Sequence, residues 1–228
     1  MSIAGPVGSR RRSRPVAHDP RGSRYLFTFA QTMALCHTLR MPVAVRDILL
    51  DRAFDQYGFL TSDDARSLDI DQKRLVDMER RGTLERVARG LYRFKIVPRT
   101  GREHLMEAVL WPRRIRGVLS HDTALELHDL CDINPTKIHI TVPRRYRINR
   151  VIPATYSIHH RDLPDSDRTF IEGIAVVTPA RSIEDAIDTH VDPKLIDQAI
   201  ETARRRGLLR GAALGELETL ARQAQSAS

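Results

Sequence analysis

From Arg46 onward, apolar residues return at helical spacing. In "RDILLDRAFDQYGFL", Ile48, Leu49, Ala53 and Tyr57 fall near one face, which predicts a helix ended by Gly58. Thr61 offers a side-chain acceptor ahead of Asp63 and Asp64, so "TSDDARSL" predicts a short second helix with acids in its first turn. Asp71 does the same for "DQKRLVDMERRG", where Leu75, Val76 and Met78 form an apolar stripe and Gly82 is the stop. The pattern then changes. Leu84, Val87, Leu91, Phe94 and Ile96 are interrupted by Arg86, Arg89 and Arg93, and a turn at Arg89-Gly90 predicts two antiparallel strands. Three helices followed by a hairpin is the order of a winged helix-turn-helix.

Pro98 and "RTGRE" mark a boundary. Beyond it, "EHLMEAVLWP" predicts a helix ended by Pro112, and "RIRGVLS" is a short apolar run that delivers Ser120 as the cap of "HDTALELHDLCD". "KIHITVP", "ATYSIHHRDL" and "FIEGIAVVTP" predict three strands, the last around Gly173. Thr178-Pro179 and Asp192-Pro193 each open a helix, since proline suits the first helical position, and "LGELETLARQAQ" predicts a last one. The expected fold class is α+β. A winged helix-turn-helix over 41–97 is followed by an α+β domain over 98–228 with a small sheet and C-terminal helices.

Residues 1–40 change the picture of charge. The chain of 228 residues carries a net +8, but residues 1–40 hold seven arginines and one acid, net +6, and the remainder is near balance. "GPVGSRRRSRPVAHDPRGSR" is too rich in Gly, Pro, Ser and Arg to assemble a core. It predicts a disordered basic tail or an extension of the start, with a phosphate-gripping arm as the alternative. "YLFTFAQTMALC" is apolar, yet no small-residue cleavage site follows it. No apolar run reaches the roughly 18 residues of a membrane span. Cys36 and Cys131 are far apart, which fits a reducing cytoplasm and gives neither a disulfide scaffold nor a zinc motif.

Charge inside the winged-helix segment is split more tellingly. Arg46 to Asp71 carries three basic residues and seven acids; Lys73 to Lys95 carries eight basic residues and three acids. A helix that enters the major groove, followed by a wing along the backbone, requires that separation. Gln72, Lys73 and Arg74 occupy the first turn of the third helix, where base edges are read; Gln72 suits adenine and Arg74 guanine. Arg80, Arg81, Arg86, Arg89 and Arg93 are the expected phosphate contacts. The bland alternative is a solvated surface with pairs such as Lys73–Asp77. A second basic cluster, Lys137, Arg144, Arg145, Arg147 and Arg150, is an expected contact surface for DNA or for an acidic protein partner. A third, Arg204, Arg205, Arg206 and Arg210, suits a helix C-terminus.

Catalytic and metal chemistry find little support. Ser120, His121 and Asp122 carry the letters of a hydrolase triad, but neighbours at one helix start do not converge, so Ser120 is expected as a helix cap. His121 and His128 are seven apart and share a helical face, with no third ligand at a clear spacing. His159 and His160 face opposite sides of a strand. No catalytic residue, cofactor or metal is expected, and no Gly-rich phosphate loop is present.

These residues also carry a resemblance. Leu75, Met78, Gly82, Leu84, Arg86, Val87, Arg89, Gly90 and Tyr92 resemble the winged-helix block of AbiEi-family antitoxins. The likeness continues through Leu119, Ser120, His121, Ala124, Leu125, His128 and Leu130, then "IHITVPRRYR", then Gly173, Ile174, Val177, Thr178, Arg181, Ile183 and Asp185, covering roughly residues 46–190. One departure is Asp69, where the family often has glycine before the third helix. The resemblance implies an antitoxin of a toxin–antitoxin or abortive-infection system. It would repress its own operon at inverted repeats in promoter DNA and neutralise a co-encoded nucleotidyltransferase-type toxin. The alternative is a winged-helix transcriptional regulator whose second domain dimerises or binds a ligand; a nuclease or toxin-modifying enzyme is a third class. The operator and the oligomeric state stay open.

Overall fold

The computed structural model describes residues 44–227, which gather into one compact unit. The expected basic tail lies outside the described residues. The chain begins with α1 (Val45–Phe54), β1 (Phe59–Thr61), α2 (Ser62–Ser67), α3 (Gln72–Arg80), β2 (Leu84–Ala88) and β3 (Leu91–Phe94). The first sheet has the order β1-β3-β2, all antiparallel, so β3 is its central strand. This is the winged helix-turn-helix that the hydrophobic pattern predicts, within an α+β chain. β1 is an addition to it: three residues without an alternating pattern that pair with β3.

Local chemistry explains the element ends. Thr61 Oγ1 accepts from the Asp64 amide while Asp64 accepts from the Thr61 amide, closing a capping box at α2. Asp71 caps α3 through the Lys73 amide. Asp69, in the turn between α2 and α3, has φ +56, the left-handed region where glycine is at ease and aspartate is tolerated. Leu49, Ala53, Leu60, Leu75, Leu84, Tyr92 and Phe94 form the core of this module.

Gly58 turns the chain from α1 into β1 at φ +86, and a Cβ there would stand 2.8 Å from Val97 Cβ. Gly58→Ala is therefore expected to lower stability by about 2–3 kcal/mol, from the left-handed backbone and the forced displacement of Val97. Urea melting of wild type and variant checks it, and a change under about 0.5 kcal/mol would show that the turn relaxes freely.

The second part runs α4 (Glu103–Leu110), β4 (Val118–Leu119), α5 (His121–Leu127), β5 (Ile138–Val142), β6 (Tyr156–His160), β7 (Arg168–Ile171), β8 (Ile174–Val177), α6 (Pro179–Asp188), α7 (Pro193–Arg205) and α8 (Gly211–Ala227). Its sheet has the order β6-β5-β4-β8-β7. β5 is parallel to β6 and β4 parallel to β8, and the other two pairs are antiparallel. Two sequence expectations change here. The run around Val118 is a two-residue strand at the centre of the sheet, and "FIEGIAVVTP" is part of two strands folded at Glu172-Gly173, both with positive φ. α4 packs on the sheet, while α5 to α8 enclose a separate apolar cluster built on Leu125, Ile183, Ile196, Ile200 and Leu217.

The winged helix is fastened to the second part of the chain. Phe59 and Leu91 join the core beneath α4. Arg116 reaches Gln56 and Asp64, and the Arg114 amide donates to Asp63 Oδ2. On the other side Tyr57 Oη donates to the Glu172 carbonyl at 3.1 Å, and Arg102 pairs with the Glu172 carboxylate at 2.9 Å. No described helix is long and apolar enough to cross a membrane.

Candidate nucleic-acid interface

α3 buries one side through Leu75 and turns the other outward. Leu75 is fully buried while Gln72, Lys73 and Arg74, in its first turn, are exposed. The Asp71 cap fixes where that turn begins, so these three side chains leave a defined helix start. Arg80 and Arg81 are exposed at the far end, and Arg86 and Arg89 are exposed on the hairpin. Among the described residues, none of the ion pairs uses Lys73, Arg74, Arg80, Arg81, Arg86 or Arg89, so the Lys73–Asp77 pair of the alternative reading is not among them. Arg52, Arg66, Arg102 and Arg116, by contrast, are neutralised by carboxylates. The arrangement can present cations and a base-reading turn along one duplex face.

Arg93 does not belong to this set. It lies on β3, between β1 and β2, and is buried to 4% exposure. Its guanidinium donates to the carbonyls of Phe94, Val97 and Pro98, where the chain leaves the sheet, the shortest contact being 2.7 Å to Val97. A phosphate cannot reach a group spent on internal carbonyls. The sequence placed Arg93 on the wing because it alternates with apolar residues; the central position of β3, covered on both faces, reverses that reading.

The second basic cluster divides. Arg89, Trp111, Arg113 and Arg114 line two adjoining clefts, one of them completed by Tyr146, Arg147, Ile148, Asn149 and Arg150. Arg150 stacks over Trp111, its Cζ 3.9 Å from the ring centroid. Tyr146 Oη donates to the Arg113 carbonyl at 2.6 Å, holding the 144–150 loop against the same place. Arg147 and Arg150 therefore continue from the wing tip. Arg144 and Arg145 are exposed just after β5, where the Arg144 amide donates to Asp162 Oδ1. Lys137 lies at the opposite end of β5, in a cleft with Glu107, Pro135 and Thr155, and does not join them. Sequence reasoning missed Arg113 and Arg114; an "RR" pair after a helix-ending proline carries no periodic signal.

The remaining candidates sort out plainly. Ser120 stands at the start of α5, but its hydroxyl makes no cap; it meets His121 Nδ1 at 2.9 Å and accepts from Thr141 Oγ1 at 2.8 Å. Thr141, diagonally placed on the neighbouring strand β5, is the buried partner that draws it inward. Ser120 and Asp185 both face the same nitrogen of His121, so they do not form the relay of a hydrolase triad, which needs both ring nitrogens. Asp122 is not part of that group. His128 points away from His121 and lies 2.7 Å from the Val177 carbonyl, which receives its Nε2 proton. Arg206 donates to the carbonyls of His128 and Asp129, at the end of α5 and not of its own helix α7.

Helix, turn, helix and a hairpin wing define a winged helix-turn-helix class of protein. Within it, residues 47–95 match the family described as a transcriptional regulator, AbiEi antitoxin, a span of 49 of the 228 residues. That span is similar to the AbiEi antitoxin-type regulator domain. No curated protein matches the chain.

Proposed function

We propose that this protein is a DNA-binding antitoxin that represses its own operon. The observation that carries the reading is the exposed first turn of α3, Gln72-Lys73-Arg74, in a module whose exposed wing cations Arg86 and Arg89 enter no ion pair among the described residues. α3 enters the major groove, Gln72 and Arg74 meet base edges, and Arg80, Arg81, Arg86 and Arg89 hold phosphates. Arg113, Arg147 and Arg150 lengthen that footprint beyond the wing tip, which favours the DNA reading of the second basic cluster over the protein reading. The operator is double-stranded promoter DNA with inverted repeats, read by two chains.

The antitoxin half rests on the family of residues 47–95. Its target is a co-encoded nucleotidyltransferase-type toxin, neutralised through the second part of the chain, and the reading gives the protein no reaction of its own. Mobility shifts on the chain's own promoter test the repressor half; no shift at low salt sinks it. Expression of the adjacent gene alone and with this chain tests the antitoxin half, which fails if that neighbour is harmless alone.

A further inference from the structure

Three histidines that are far apart in sequence meet at one place, outside the DNA-facing surface. His139 and His159 lie on the parallel pair β5–β6, whose register sets His139 against Ser157 and Thr141 against His159. Residues two apart on a strand share a face, so the two imidazoles stand on one side of the sheet. His121, at the start of α5, comes down onto them. His121 and His159 are stacked with ring centroids 3.6 Å apart, and His139 Nδ1 is 3.1 Å from His159 Nε2. One nitrogen from each ring falls within 4.8 Å of the others. We propose that His121, His139 and His159 bind one divalent transition-metal ion of the zinc class.

Four observations support this. The first is donor chemistry. Three imidazoles suit zinc, and also cobalt, nickel and copper, but neither magnesium nor calcium. Two nitrogens on one tetrahedral zinc stand about 3.3 Å apart, close to the His139–His159 spacing. The second is placement: three separate elements, α5, β5 and β6, each deliver one ring to the same point.

The third is a carboxylate behind the cluster. Asp185 is completely buried. Its Oδ1 accepts from Arg181 and Arg161, whereas its Oδ2 has no hydrogen-bond donor and sits 3.5 Å from His121 Nδ1. If His121 binds the ion through Nε2, its proton resides on Nδ1, which faces Ser120 Oγ at 2.9 Å and Asp185 Oδ2 at 3.5 Å as acceptors. That carboxylate–histidine–metal order is the usual support of a metal-bound imidazole. The fourth is access and charge. His139 and His159 are half-buried rather than sealed, and Asp185, Glu184 and Asp188 outnumber Arg161 and Arg181 by one charge.

The stacked planes of His121 and His159 lie 17° apart, so their in-plane lone pairs converge on an ion only after one ring turns about χ2. That torsion is soft for histidine. Three protein ligands leave a fourth position for water or a partner group.

The test uses the full chain, stripped with a chelator and titrated with Zn²⁺ against a chromophoric competitor, and with Co²⁺ for its visible ligand-field bands. The expected result is one equivalent per chain. His139→Ala and His159→Ala are each expected to weaken binding at least about a hundredfold, and Asp185→Asn by about ten- to a hundredfold. His190→Ala, an exposed histidine elsewhere, is expected to leave it unchanged. In the unsubstituted protein, Zn²⁺ is expected to shift the imidazole resonances of all three histidines and no others, a readout that needs no variant to fold. Absence of stoichiometric uptake, or equal uptake by the His139→Ala/His159→Ala double variant, overturns the proposal.

Discussion

Arg86→Ala and Arg89→Ala are each expected to weaken promoter binding and to flatten its dependence on salt by about one in log–log slope. Four phosphate contacts from Arg80, Arg81, Arg86 and Arg89, or seven with Arg113, Arg147 and Arg150, give a wild-type slope of about −4 to −6, so each loss is measurable. Arg93→Ala is expected to behave differently. Its guanidinium holds three carbonyls at the exit of the central strand, so removing it leaves buried acceptors without donors. A stability loss of about 2–4 kcal/mol is expected, with the slope unchanged in whatever fraction stays folded. Gln72→Ala is expected to change discrimination at one base pair by about 1–3 kcal/mol with no change in slope, because Gln72 carries no charge. Titrations of fluorescently labelled promoter at several salt concentrations, beside urea melts of the same variants, separate these outcomes. An Arg93→Ala protein as stable as wild type, with a slope flattened by one, would show that β3 opens and that the wing is assigned wrongly.

That contrast marks where the sequence is legible. Helices α1 to α3 announce themselves because their signals are local: an apolar stripe every three to four residues, Thr61 and Asp71 as caps, Gly82 as a stop. The Thr178 and Asp192 caps with their prolines are legible for the same reason. β1 and β4 are not. Three and two residues long, they become strands only because β3 and β5 lie beside them. Arg93 fails similarly. Which face of "LYRF" is covered depends on a strand order that the segment does not contain.

The histidine cluster is the extreme case. His121, His139 and His159 have no mutual spacing that any local motif would flag. They converge through the register of two parallel strands and the docking of α5, whereas His128, which shares a helical spacing with His121, is bonded to the Val177 carbonyl instead. The basic face proposed to meet DNA is visible in the charge pattern because it lies on consecutive local elements. A site assembled across the sheet could not be.

Asp64→Asn is the substitution expected to test the frame that carries both. Asp64 is buried to 6% exposure at the start of the helix-turn-helix. It closes the α2 capping box, accepts from Gln56 at 3.2 Å, and meets Arg52 at 3.1 Å and Arg116 at 3.3 Å. Burial alone would raise its pKa. Hydrogen bonds from the Thr61 side chain and amide and from Gln56, with the Arg52 charge, outweigh it and hold the carboxyl below the usual carboxylate range. Both arginines are more than a third exposed and regain water when the charge is removed, so their Coulombic share is small. The lost cap and the buried Gln56 amide carry most of the effect, about 2–4 kcal/mol above pH 5. Because the folded pKa is depressed, this stabilisation is fully present above the unfolded value of about 3.9 and disappears as pH falls through the lower folded one. Urea melts are therefore expected to show a gap between wild type and Asp64→Asn that is flat from about pH 5 upward and narrows below about pH 4. A gap that widened on acidification would mean that the carboxyl is protonated in the folded protein and that Arg116 does not fasten the winged helix through it.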